Sequence, residues 1–107
     1  MTDFNDRERA EEAKFAHDEE MHFRVHARRN RLLGGWAAEQ MGLSEVEAEA
    51  YATGVVQADF EESGDEDVVR KILGDLVSAG VDVSEGDVRT ALAAKSVEAK
   101  RQLMGEG

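Results

Sequence analysis

The sequence predicts an all-α protein, an antiparallel four-helix bundle preceded by a long, mobile helical arm. Three observations carry that expectation. The 107 residues contain no proline, so nothing along the chain fixes φ or removes a backbone donor from a helix interior. Apolar side chains recur at helical spacing, and no segment alternates apolar and polar residues as a half-buried strand would. Turn and cap residues, Gly42, Ser44, Gly80 and Ser84, punctuate the chain at short intervals, which leaves room for helices joined by short loops.

The first helix is expected over residues 5–41, where helix formers such as Glu8, Arg9, Ala10, Glu11, Glu12, Ala13 and Lys14 dominate and the first glycines are Gly34 and Gly35. Unbroken, it would be ~55 Å long, more than a domain of this size needs for its own core. Its halves differ. Up to about residue 20 the large apolar groups are Phe4 and Phe15, set among charges. Beyond that point Phe23, Ala27, Leu33, Ala37 and Met41, with Val25, Leu32 and Trp36 alongside, form a stripe expected to face the core. The chain therefore divides into an arm, residues 1–20, and a bundle domain, residues 21–107.

Gly42 is placed to end the first helix in a left-handed conformation. Ser44 and Glu47 form a capping box that opens a second helix over about 45–61, with Ala48, Ala52, Val55, Val56 and Phe60 inward. Residues 61–65 read as a loop, and Ser63 or Asp65 can cap a third helix carrying Val68, Val69, Ile72, Leu73, Leu76 and Val77. Gly80 stops it. Ser84 and Asp87 repeat the capping pair ahead of a fourth helix that carries Val88, Leu92, Ala99 and Leu103 to about residue 104. Apolar residues make up 41% of the chain and aromatics only 6%, so the core must be built mainly from Val, Leu, Ile and Ala.

Charge narrows the partners. The net charge is −11, with eight acids against three bases in residues 1–20, four arginines and no acid in 21–31, and ten acids and no base in 32–67. Such a chain is repelled by phosphate backbones and anionic lipid, so neither nucleic acid nor membrane insertion is expected, and a protein with basic surfaces fits better. No apolar run reaches the ~18 residues of a membrane span. The start lacks the basic and apolar pattern of a signal peptide. A soluble, cytoplasmic protein is expected. The chain has no cysteine, which excludes disulfide scaffolds and thiolate chemistry.

Three constellations bear on chemistry. Asp18, His22 and His26 share one helical face, with His17 nearby, but the segment lacks the general-base Glu of a zinc protease motif, and surface histidines are the better reading. Asp59, Glu61, Ser63, Gly64 and Asp67 match part of a calcium loop, yet Arg70 stands where the bidentate Glu is required. Arg28, Arg29 and Arg31 suggest either a phosphate patch or, more in keeping with the acids nearby, internal pairing with the 59–67 loop. No metal or cofactor is expected, and no nucleophile stands beside a base, so an enzyme is not expected. A bundle that binds a small ligand, nucleotide or metal, is the alternative function. What remains is the arm, a sparse amphipathic helix with two aromatic anchors, which can dock into a groove or fray as a tail.

The segments Phe4-Asn5-Asp6-Arg7-Glu8, Glu12 to Glu19, Ala27-Arg28-Arg29-Asn30, Leu32-Leu33-Gly34 with Trp36-Ala37-Ala38, and Ala58 to Glu62 with Gly64-Asp65 and Asp67-Val68 strongly resemble the zeta subunit of bacterial ATP synthases, an ATPase inhibitor family. The likeness runs to about Lys71 and thins afterwards, and Asn5 stands where an acid is expected. The resemblance implies a four-helix bundle whose arm inserts at a closing catalytic interface between alpha and beta subunits, near the gamma subunit, and blocks ATP hydrolysis. It implies Asp3, Phe4, Arg7, Glu8, Arg9, Lys14 and Phe15 as partner contacts. A weak nucleotide contact on the bundle belongs to the same expectation, although no motif in the sequence supports it.

Overall fold

A computed structural model describes the backbone of residues 2–59 and 65–105 and the side chains of residues 20–58 and 65–103. Its order is α1 (Thr2–Met41), α2 (Glu45–Asp59), α3 (Glu66–Ser78) and α4 (Glu85–Lys100), closed by a π-helical turn, Arg101–Gly105. The protein is an all-helical four-helix bundle, as expected, and there is no strand among the described residues. The last helix continues to about residue 104, but its final turn is wider than an α-helix.

The loops close as their residues dictate. Gly42 and Gly80 have φ of 71° and 82°, the left-handed region that a Cβ disfavours. Each sits in a Schellman motif: Leu43 N–H donates to the Ala38 carbonyl and Gly42 N–H to Glu39, while Val81 N–H donates to Leu76 and Gly80 N–H to Val77. Both capping boxes form. Ser44 Oγ accepts from the Glu47 amide at 3.2 Å and Ser44 N–H donates to the Glu47 carboxylate at 3.0 Å. That backbone donation holds the Glu47 carboxyl below the usual range. In the second box Ser84 Oγ accepts from the Asp87 amide at 3.1 Å and Ser84 N–H donates to the Asp87 carboxylate at 2.9 Å.

The core joins all four helices through Leu33, Ala37, Val55, Val68, Val69, Ile72, Leu76, Val88, Ala91 and Leu92. Among the described residues it contains no aromatic ring, and Trp36 and Tyr51 pack on it from the edge. Three sequence expectations are corrected here. Phe23 is 55% exposed and Val77 57% exposed, and Trp36 is only half-buried. On α1 the buried residues are Val25, Arg29, Asn30, Leu33, Gly34, Ala37 and Ala38, two adjacent rows at four-residue spacing. Phe23 lies off both rows, and apolar character alone does not reveal it. Phe60 and the residue 61–64 part of the loop lie outside the described residues.

Helix α1 approaches α2 closely at Gly34, where an added Cβ would meet the Ala52 Cα at 2.8 Å, whereas at Gly35 it would meet nothing within 4 Å. The two neighbouring glycines should therefore respond in opposite directions. Gly34→Ala is expected to destabilise by about 1–3 kcal/mol, because a backbone atom cannot step aside. Gly35→Ala is expected to stabilise by about 0.5–1 kcal/mol through helix propensity. Urea melts of the two variants check the pair; equal shifts would show that the helices are not in this contact.

Candidate functional site: helix α1 and its exit from the bundle

The geometry of α1 follows from length. It has 40 residues, roughly 60 Å at 1.5 Å per residue, against roughly 20–24 Å for each of the other helices. The molecule measures 66 × 26 × 22 Å along its principal axes, so α1 sets the long dimension. Among the described side chains, the first buried one on α1 is Val25. Helices α2, α3 and α4, of 15, 13 and 16 residues, are too short to cover the helix along its whole length. The residues expected to touch a partner, Asp3, Phe4, Arg7, Glu8, Arg9, Lys14 and Phe15, all fall on the first half of α1, and their side chains lie outside the described residues.

A polar collar stands where α1 leaves the core. Arg29 and Asn30 are the two buried polar residues among those described, 6% and 1% exposed. Arg29 Nε donates to Asn30 Oδ1 at 2.9 Å, Nη1 donates to Asp65 Oδ1 at 2.7 Å, and Nη2 lies 3.1 Å from His26 Nε2. The guanidinium thus spans from α1 to the start of α3, and a buried cation is held by a carboxylate. This corrects the expectation for Asp65. It occupies the N-cap position of α3 with helical dihedrals and makes no side-chain cap bond, because its carboxylate faces Arg29 instead. Ser63, the other candidate cap, lies outside the described residues.

The remaining arginines diverge around the helix. Arg24 pairs with Glu20 at 2.7 Å, Arg28 donates to Gln102 Oε1 at 2.8 Å, and Arg31 reaches Glu49 at 3.5 Å. They do not converge as a phosphate clamp would, and for Arg29 the internal pairing with the acidic loop is what forms. His22 and His26 stack with ring centroids 6.4 Å apart, and no three potential ligands among the described residues could hold a metal ion. Arg70, at the place a calcium loop needs a carboxylate, lies 3.8 Å from Asp67.

Two further ties hold the bundle to α3. Arg89 donates to Glu85 at 3.2 Å and to Glu66 at 2.8 Å, and its hydrogen bond keeps the Glu66 carboxyl below the usual range. Tyr51 Oη donates to Asp75 at 2.6 Å, beside Lys71 Nζ at 3.2 Å from the same oxygen. Burial, reinforced by the Asp75 hydrogen bond and charge, pushes the Tyr51 phenol well above its usual range. A raised folded-state pKa contributes stability below the unfolded value of about 10 and loses it as pH rises beyond. Tyr51 is the only tyrosine, so phenolate absorbance reports it alone. The folded protein should show no phenolate at pH ~10–11, and the signal should appear together with loss of helix; a midpoint near 10 with the fold intact would contradict the buried contact.

Sequence reasoning missed the Arg29–Asn30 pair as buried groups, although the spacing from Val25 through Arg29 to Leu33 carried the signal. The described structure is a small helical bundle with one 40-residue helix, tied through Arg29 to the start of α3. A profile of the family described as "ATPase inhibitor subunit zeta" matches residues 1–102, and the chain belongs to that family. The resemblance noted on the sequence is thereby borne out. The chain is also similar to a protein solved by solution NMR, with 50% identity over 81% of this chain and 99% of that one, at a TM-score of 0.71. No curated protein matches. Membership supports an inhibitory, regulatory role on an ATP synthase. Among the described residues no helix is long and apolar enough to cross a membrane.

Proposed function

We propose that this chain restrains ATP hydrolysis by an F-type ATP synthase, placing the first half of α1 at a catalytic interface between alpha and beta subunits, near gamma. Residues 1–20 are the inhibitory arm and residues 21–107 the domain that carries it. The observation that supports this reading best is the mismatch between α1 and the helices around it. A 40-residue helix is longer than the three shorter helices can cover, and membership of an ATPase inhibitor family supports reading its excess length as the inhibitory element.

The mechanism is steric and needs no chemistry from the inhibitor. A catalytic interface must close and reopen during each hydrolysis cycle. A helix seated in it, anchored by Phe4 and Phe15 and oriented by Asp3, Arg7, Glu8, Arg9 and Lys14, adds contacts that opening would have to break. The chain acts as a non-catalytic protein in the cytoplasm and uses no cofactor. The experiment is an ATP hydrolysis assay of the cognate synthase with the full chain and with residues 19–107.

A further inference from the structure

We propose that the outer face of α1 is a self-complementary surface through which two copies of this chain associate about a twofold axis. Four observations meet there. Arg28 and Glu39 are both exposed on this face, eleven residues apart in the sequence and roughly 16 Å apart along the helix. Arg28 donates to the neutral amide of Gln102, and neither it nor Glu39 has an opposite charge within ion-pair distance among the described residues. Both line an open groove that runs over α1 between α2 and α4, together with Leu32, Gly35 and Trp36. Gly35 sits mid-helix where a Cβ would meet nothing within 4 Å, so the groove floor there is open to an incoming side chain.

A second copy laid antiparallel accounts for all four. When two identical helices cross about a twofold axis, residues equally far before and after the crossing point face each other. With the axis between Leu33 and Gly34, Arg28 of one copy meets Glu39 of the other, and the reverse pair forms at once. Leu32 enters the space above the opposing Gly35, and Arg31 lies over the opposing Trp36, a ring that attracts guanidinium groups. The face is positive towards its N-terminal side and negative towards its C-terminal side, so its best electrostatic complement is itself reversed. The arms of the two copies then point to opposite ends. Because each copy carries −11, long-range repulsion opposes association, and physiological salt screens it over about 8 Å while the closely paired charges are screened less.

The test is sedimentation velocity of the full chain from ~10 µM to ~1 mM at ~0.15 M salt. The wild type should show a concentration-dependent monomer–dimer equilibrium. Arg28→Glu and Glu39→Arg should each weaken association at least ~10-fold, since each places like charges opposite one another. An equimolar mixture of the two variants should recover it. In the mixed dimer the two substituted side chains face each other with opposite charge, and the unaltered Arg28 of one copy faces the unaltered Glu39 of its partner. Helix content by circular dichroism controls for folding. A wild type that stays monomeric at ~1 mM, a single variant that associates as the wild type does, or a mixture that does not recover would each overturn the proposal.

Discussion

Removing residues 1–18 is expected to abolish inhibition of ATP hydrolysis and to leave the folded bundle almost as stable as before. The expectation follows from where burial begins. Val25 is the first buried side chain among those described on α1, and among the described residues the central core cluster lies between Leu33 and Leu92. Truncation ahead of residue 19 removes none of the described core residues, and its cost is expected to stay within about 1 kcal/mol. Binding is another matter. If Phe4 and Phe15 are anchors of about 2 kcal/mol each, their joint loss weakens the inhibited complex by roughly a thousandfold. Full-length chain and residues 19–107 giving equal suppression of hydrolysis would place the effector in the bundle.

The largest stability effects should come from Ile72 and Leu33, not from the single tryptophan. Both are fully buried at 0% exposure, and both belong to the core cluster that joins the four helices. Truncation to alanine leaves a cavity that rigid helices fill only in part, at a cost of about 2–5 kcal/mol. In a domain whose total stability is about 5–15 kcal/mol, that is enough to populate the unfolded state at moderate temperature. Trp36 packs on the core from its edge and keeps one side towards the groove, so Trp36→Ala should cost about 1–2 kcal/mol. Urea unfolding of the three variants gives the order. A larger loss for Trp36 than for Ile72 would mean that the core is centred elsewhere.

The fold was legible in the sequence because its signals are local. Ser44, Glu47, Ser84 and Asp87 cap through side chains only three residues apart, and Gly42 and Gly80 mark left-handed turns that other residues avoid. Hydrophobic spacing identified most of the core on α3 and α4. It was less secure where apolar residues cover more than one side of a helix. Phe23 and Val77 obey the apolar pattern and face outward, since their positions relative to neighbouring helices are fixed by packing and not by their own chemistry. Arg29 shows the reverse case. Its charge argued for the surface, while its place on the Val25–Leu33 line put it inside, where Asp65 compensates it. Asp65 could be read as a cap from the sequence, but its choice of Arg29 depends on a contact 36 residues away. The proposed arm was singled out in the sequence by its shortage of apolar groups. The partner proposed for it rests on the resemblance and the family, because two phenylalanines among charges suit many grooves.

The claim that α1 divides into a part for its own bundle and a part for another protein is tested most directly by hydrogen exchange. Amide exchange across the chain would be compared for the isolated protein and for the protein bound to the synthase catalytic sector. Slowed exchange concentrated in residues 2–18, with α2, α3 and α4 nearly unchanged, is the predicted result. Slowing confined to those three helices, with residues 2–18 unaffected, would contradict it.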